Sequence, residues 1–226
     1  MGQVNENAFE CLKQIPNPHT CQLRLDGCFP YHSLTPSEAL KLVGLLRQFK
    51  NFIQCRLYLG DCCAEAENEL VSSITHKTLQ ELRLSHFRLT PAIAAALGRS
   101  LPEMSSLEKP GLEVWKMKRS VQVEDMKALF EGFNKPFLAF KELRISGFSL
   151  RGCLTPLTEC FHFFPCLLRV DLTRSNLDER DLRGLVCSLE PIPNLRSLWL
   201  VGNPMGDKNR VESIAKQALP HVGLHY

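Results

Sequence analysis

The stretch NLRSLWLVGNPMGD, Asn194 to Asp207, decides how this chain is read. In an extended strand successive side chains leave opposite faces, so Leu198 and Leu200 on one face put Trp199 on the other. The wider spacing, Leu195-x-x-Leu198-x-Leu200-x-x-Asn203-x-Met205, then recurs along the chain. It is seen as Leu79-x-x-Leu82-x-Leu84-x-x-Phe87-x-Leu89, as Phe140-x-x-Leu143-x-Ile145-x-x-Phe148-x-Leu150, and as Leu167-x-x-Val170-x-Leu172-x-x-Ser175-x-Leu177. Farther upstream CQLRLDGC, from Cys21, matches CRLYLGDC, from Cys55, across 34 residues.

A further copy is expected between Leu84 and Leu143. The segment SLEKPGLEVWKM supplies it as Leu107, Leu112, Val114 and Met117, with Pro110 and Gly111 read as a two-residue insertion. The opening aliphatics are then Leu23, Leu57, Leu82, Leu112, Leu143, Val170 and Leu198, at steps of 34, 25, 30, 31, 27 and 28 residues. Leu219-x-x-Val222-x-Leu224 begins an eighth strand. Between strands the apolar residues fall at helical spacing: Leu42, Leu45, Leu46 and Phe49; Ile93, Ala96, Leu97 and Leu101; Leu182, Leu185, Val186 and Leu189. Thr35-Pro36, Thr90-Pro91 and Thr155-Pro156 stand where helices should start, since threonine suits the N-cap and proline the first turn. Glu38 completes a capping box with Thr35.

A unit of one strand and one helix cannot bury its apolar side alone, whereas units stacked in sequence share a continuous core. The expected fold is α/β: a leucine-rich repeat solenoid, a ribonuclease-inhibitor-like horseshoe with a parallel concave sheet, convex helices and about seven repeats. Residues 19–226 form this domain. Residues 1–18 read as the end of a truncated preceding repeat, because AFECLKQIPNPHTCQLRL parallels LRGLVCSLEPIPNLRSLWL.

In that frame the residues between and just after each aliphatic pair face the concave side. Arg83, Arg144 and Trp199 lie between pairs, Trp115 lies just after one, and Arg196 stands beside them. Tryptophan and arginine on a rigid surface dominate binding energy at interfaces, so these five residues are the candidate contacts for a protein partner. The other reading of Trp199 is that the end of the chain or Arg196 shields it. The charges beside these lanes are mixed, Arg83, Arg144, Arg169 and Arg196 against Glu81, Glu113, Glu142 and Asp171. Such mixing suits selective protein recognition more than a polyanion.

A formal net charge of +3, from 27 basic and 24 acidic residues, is too slight to indicate nucleic acid. The start lacks a signal-peptide pattern and no apolar run reaches about 18 residues, so a cytoplasmic location away from any membrane is expected. The 10 cysteines read as reduced thiols, most of them buried. Phosphate-binding loops, dinucleotide fingerprints and HExxH patterns do not occur. Cys160, His162 and Cys166 resemble part of a metal site, but positions 160 and 162 lie on different sides of a helix and no second pair follows at zinc spacing. His76 and His86 lack a companion nucleophile or carboxylate in the repeat frame. No enzyme activity, cofactor or metal is expected.

The segments LRGLVCSLEPIPNLRSLWLVGNPMGD, ALFEGFNKPFLAFKELRISGF and LGRSLPEMSSLE resemble the C-terminal leucine-rich repeats of NACHT-containing innate immune receptors, the NLR family. The similarity covers most of the chain from about residue 20. It implies a module that holds a receptor inactive or contributes to ligand recognition, upstream of inflammasome or apoptosis signalling, with other domains of a parent receptor as partners. ATP hydrolysis does not carry over, because the nucleotide-binding domain is not in this sequence. The alternative is a free-standing scaffold or inhibitor that binds a protein on its concave face.

Overall fold

The computed structural model describes residues 14, 22–25, 36–48, 51–58, 64–74, 78–85, 89–113 and 121–226. Among them eight strands form one parallel sheet in chain order: β1 (Gln22–Leu25), β2 (Asn51–Tyr58), β3 (Glu81–Ser85), β4 (Lys109–Glu113), β5 (Glu142–Ser146), β6 (Arg169–Asp171), β7 (Ser197–Trp199) and β8 (Gly223–His225). A helix follows each of the first seven: α1 (Pro36–Leu46), α2 (Ala64–Ser73), α3 (Pro91–Ser100), α4 (Val123–Phe130), α5 (Thr155–Cys160), α6 (Glu179–Leu189) and α7 (Lys208–Ala218). This is the α/β leucine-rich repeat solenoid, and its eighth strand continues the sheet beyond β7.

Register comes from two rows of inward side chains. Cys55, Leu82 and Pro110 align in the first row, as do Leu143, Val170, Leu198 and Leu224. Leu57, Leu84, Leu112 and Ile145 align in the second. Leu82, Leu84, Val170 and Leu198 are completely buried, and Leu112 and Leu143 are nearly so. Each such side chain contributes roughly 1.5–3 kcal/mol by leaving water.

Two expectations are corrected by this register. Leu57 and Leu112 belong to the second row, and Pro110 and Gly111 are not an insertion: Leu107-x-x-Pro110-x-Leu112 is the motif with proline in the leucine's place. The first-row steps from Cys55 become 27, 28, 33, 27, 28 and 26 residues. A proline argues against a central strand because it lacks an N–H. Here the β3–β4 ladder is complete, while the β4–β5 ladder starts only at Gly111, after the proline. The match of Leu23 with Leu57 also fails, since Leu25 pairs with Cys55 and Leu23 with Phe52, with a bulge between Leu23 and Arg24.

The helices bury the stripes the spacing marks out: Leu42, Leu45 and Leu46 in α1, Ile93, Ala96 and Leu97 in α3, and Leu182, Leu185, Val186 and Leu189 in α6. Phe49 lies outside the described residues. Between α3 and α4 the backbones approach so closely that a Cβ on Gly98 would stand 2.0 Å from the Ala128 carbonyl oxygen. The longest step, 33 residues, ends in an aromatic cluster where Phe140 stacks on Phe164 at 5.0 Å and Phe133 meets Phe164 edge-on at 5.3 Å. Such pairs add about 0.5–1.5 kcal/mol beyond area burial.

Capping follows expectation at one helix and departs at another. The Thr90 hydroxyl accepts the Ile93 N–H at 3.3 Å. Thr155 instead lies inside α5, and Leu154 occupies the cap without a side-chain bond. Thr35, proposed to cap α1 with Glu38, lies outside the described residues, as does the Glu38 side chain. A capping box absent from the sequence reading joins Asp178 and Asp181 at the start of α6, each carboxylate accepting the other's backbone N–H at 3.0 Å. That bond holds the Asp178 carboxyl below the usual carboxylate range, with Arg151 adding to the effect. Its stabilisation is present at neutral pH and is lost as acid brings the pH down through the lowered value.

The turns leaving the strands reverse direction at one repeat position, with positive φ at Gly147 (80°), Arg174 (55°) and Gly202 (76°). The next residue is Phe148, Ser175 or Asn203. Asn203 stitches two repeats: its Nδ2 donates to the Leu172 and Leu200 carbonyls at 2.8 and 2.7 Å, and its Oδ1 accepts from the Ser175 and Leu177 N–H groups at 2.8 and 3.0 Å. Phe148 fills the same position with an apolar ring, 1% exposed. Asn203→Ala, which strands these partners, should lower stability by about 1–3 kcal/mol. Urea unfolding reads the loss, and a change under about 0.5 kcal/mol would contradict the stitching role.

Candidate protein-recognition surface

The rows pack against the helices, so the residues between them stand on the sheet's open face. Along the central lane the register sets Arg56, Arg83, Gly111, Arg144, Asp171, Trp199 and His225 side by side. A neighbouring lane carries Gln54, Glu81, Lys109, Glu142, Arg169, Ser197 and Gly223; its Gln54–Glu81, Glu81–Lys109, Glu142–Arg169, Arg169–Ser197 and Ser197–Gly223 pairs are direct register partners.

Two ion-pair networks order this face. Glu81 takes Arg56 through two bonds, Nε to Oε1 at 3.0 Å and Nη2 to Oε2 at 3.2 Å, and Arg83 Nε at 2.7 Å. Asp171 takes Arg169 Nη2 on Oδ2 at 3.0 Å and the Thr173 N–H on Oδ1 at 3.2 Å, while Arg144 Nε lies 3.8 Å from Oδ2. Arg144 also donates to the Ser146 hydroxyl at 3.2 Å. With its side chain only 5% exposed, Asp171 needs these partners, because an unpaired buried carboxylate is costly. Gly111 separates the two networks, and a Cβ there would meet the Arg83 stem at 3.2 Å. Lys109 reaches Glu142 at 3.5 Å on the same face.

Trp199 is on the face opposite Leu198, half-buried. Its ring is sandwiched: His225 stacks on it at 4.1 Å and 19°, and the Arg169 guanidinium lies 4.3 Å from its centroid. Shielding thus comes from the last strand and from Arg169. Arg196 is exposed at the sheet's rim, where its backbone bonds the Leu168 carbonyl and the Gly223 N–H, each at 2.8 Å. Of the five candidate contacts, then, Arg83, Arg144 and Trp199 share the open face and Arg196 stands beside it. Trp115 lies outside the described residues. In the corrected count it is the third residue after Leu112, as Phe148 is after Ile145, so the lane assignment that made it a surface residue no longer stands.

Arg56, Arg169 and His225 were missed as members of the site. His225 could have been found by continuing the alternation past Leu224, and Arg56 by placing Cys55 in the first row. Cys160 is buried with its thiol directed at the Phe130 carbonyl oxygen at 3.9 Å, whereas His162 is exposed and Cys166 partly so. His76, His86, Cys62 and Cys63 lie outside the described residues. Among the described residues no group of three or more histidine, cysteine or acidic side chains could hold a metal, and no helix is long and apolar enough to cross a membrane.

Compared with known protein families the chain matches no family model, and compared with curated proteins it matches none.

Two outcomes test this placement. Trp199→Ala removes one stack and one cation–π contact, about 1–2 kcal/mol together. Leu198→Ala empties a core position at about 2–5 kcal/mol, so urea unfolding should rank Leu198→Ala as the more damaging; the reverse order would put Trp199 in the core. Burial pushes the Cys160 thiol up to about 11. At pH 8 iodoacetamide should therefore modify exposed Cys187 well before Cys160, as read by peptide mass spectrometry, and equal rates would contradict the packing.

Proposed function

We propose that this chain is a protein-recognition module that holds its partner against the open face of the sheet. The observation that carries the reading is the pair of ion-pair networks, which fix four arginines in place before any partner arrives. Preorganised side chains lose little entropy on binding, and mixed fixed charges select among partners. The resemblance to NLR repeats supplies the finer reading: an autoinhibitory or ligand-sensing element of an NLR-type innate immune receptor in the cytoplasm, upstream of inflammasome or apoptosis signalling. Other domains of the parent receptor are then the first partners to seek.

A photo-crosslinking residue tests the surface. Installed at Ser197, on the open face, it should give a defined protein adduct in cytosolic extract that excess unlabelled chain competes away. Installed at Arg183, exposed on α6, it should give none. Adducts at Arg183 alone, or at neither position, would contradict the reading.

A further inference from the structure

We propose that the partner offers a carboxylate-rich segment, seated above β4 between Arg83 and Arg144; this rests on the recognition reading and specifies its chemistry. Five cations stand on the open face, Arg56, Arg83, Lys109, Arg144 and Arg169, against three acids, Glu81, Glu142 and Asp171. Arg24 and Glu113, which register on the same lanes, cancel one another. All three acids are already engaged: Glu81 holds two arginines, Asp171 lies between two, and Glu142 holds Lys109. A guanidinium carries about five N–H donors and a carboxylate about four acceptor sites, so each network of two arginines and one acid has donors in excess. An incoming cation would have to break a pair, whereas an incoming carboxylate meets surplus donors.

Gly111 gives that surplus a place. With no side chain on β4 at this register, the stems of Arg83 and Arg144 border the same space, 3.2 and 3.8 Å from where a Cβ would stand. The arginine side chains are 31–34% exposed, open to a ligand yet less screened than free surface charges. Arginine suits carboxylate through its planar fork. Nucleic acid fits less well, because Glu81, Glu142 and Asp171 interleave with the cations and repel a continuous run of phosphates.

The test is fluorescence anisotropy of the full chain with labelled octaglutamate, octalysine and a single-stranded oligonucleotide. Octaglutamate should bind, weaken with added salt, and lose at least about tenfold in affinity in the Arg83→Gln/Arg144→Gln double variant. Gly111→Asp, which places a competing carboxylate in the seat while leaving both arginines, should cause a similar loss, and its φ is not one that requires glycine. Octaglutamate binding that is absent, or unchanged in both variants, would overturn the proposal. So would tighter binding of octalysine, or of the oligonucleotide with the same sensitivity to the variants. A Ser197 adduct that persists while octaglutamate fails to bind removes only the acidic partner; loss of the adduct removes the recognition reading itself.

Discussion

The structure depends on one constraint: inward aliphatic side chains of successive strands must stand in the same two rows. Each repeat is too small to bury its own strand and helix, so its stability comes from the neighbour on either side. Once Leu82, Leu143, Val170 and Leu198 align, every residue between them is placed by geometry. A slip of one residue would turn Trp199 into the core and Leu198 onto the open face.

The charged face is a product of that alignment. Arg56 can chelate Glu81 only because Gln54 pairs with Glu81 and sets the two strands in step. Asp171 can be buried only because β5 and β6 bring Arg144 and Arg169 to it. The Trp199 sandwich needs β6 on one side and β8 on the other. Packing on the covered side of the sheet therefore sets the chemistry of the open side, which is how a repeat scaffold carries function without changing its fold.

Most of the architecture was legible because its signal is repeated. Strand order, the helix stripes and the eighth strand all follow from one spacing met several times. What escaped was the copy in which a residue of the wrong class fills the right place. Pro110 and Cys55 occupy leucine positions, and neither looks like a strand core in isolation. Treating Pro110 as an insertion shifted the frame by two residues, which preserves the inward and outward alternation and so leaves no local clue. Only the hydrogen-bonded neighbours reveal it. Thr155 shows a second limit: a cap motif repeated in sequence takes effect only where the preceding backbone leaves the strand at the right angle, as at Thr90 but not before α5. The surface was partly readable, since alternation put Trp199 outside. Its partners Arg169 and His225 come from strands 27 or more residues away and needed the register.

The register through β4 is the point at which the account is most exposed. Aligned residues on adjacent parallel strands lie about 4.8 Å apart, within the roughly 4.4–6.8 Å that a disulfide spans. Ser85 and Glu113 are such a pair. Cysteines introduced at both should therefore form a disulfide under mild oxidation, found as a linked peptide by mass spectrometry, while cysteines at Ser85 and Trp115 should not. Efficient linkage of the second pair, and none of the first, would mean that Pro110 and Gly111 do interrupt the repeat and that the rows described above are wrong.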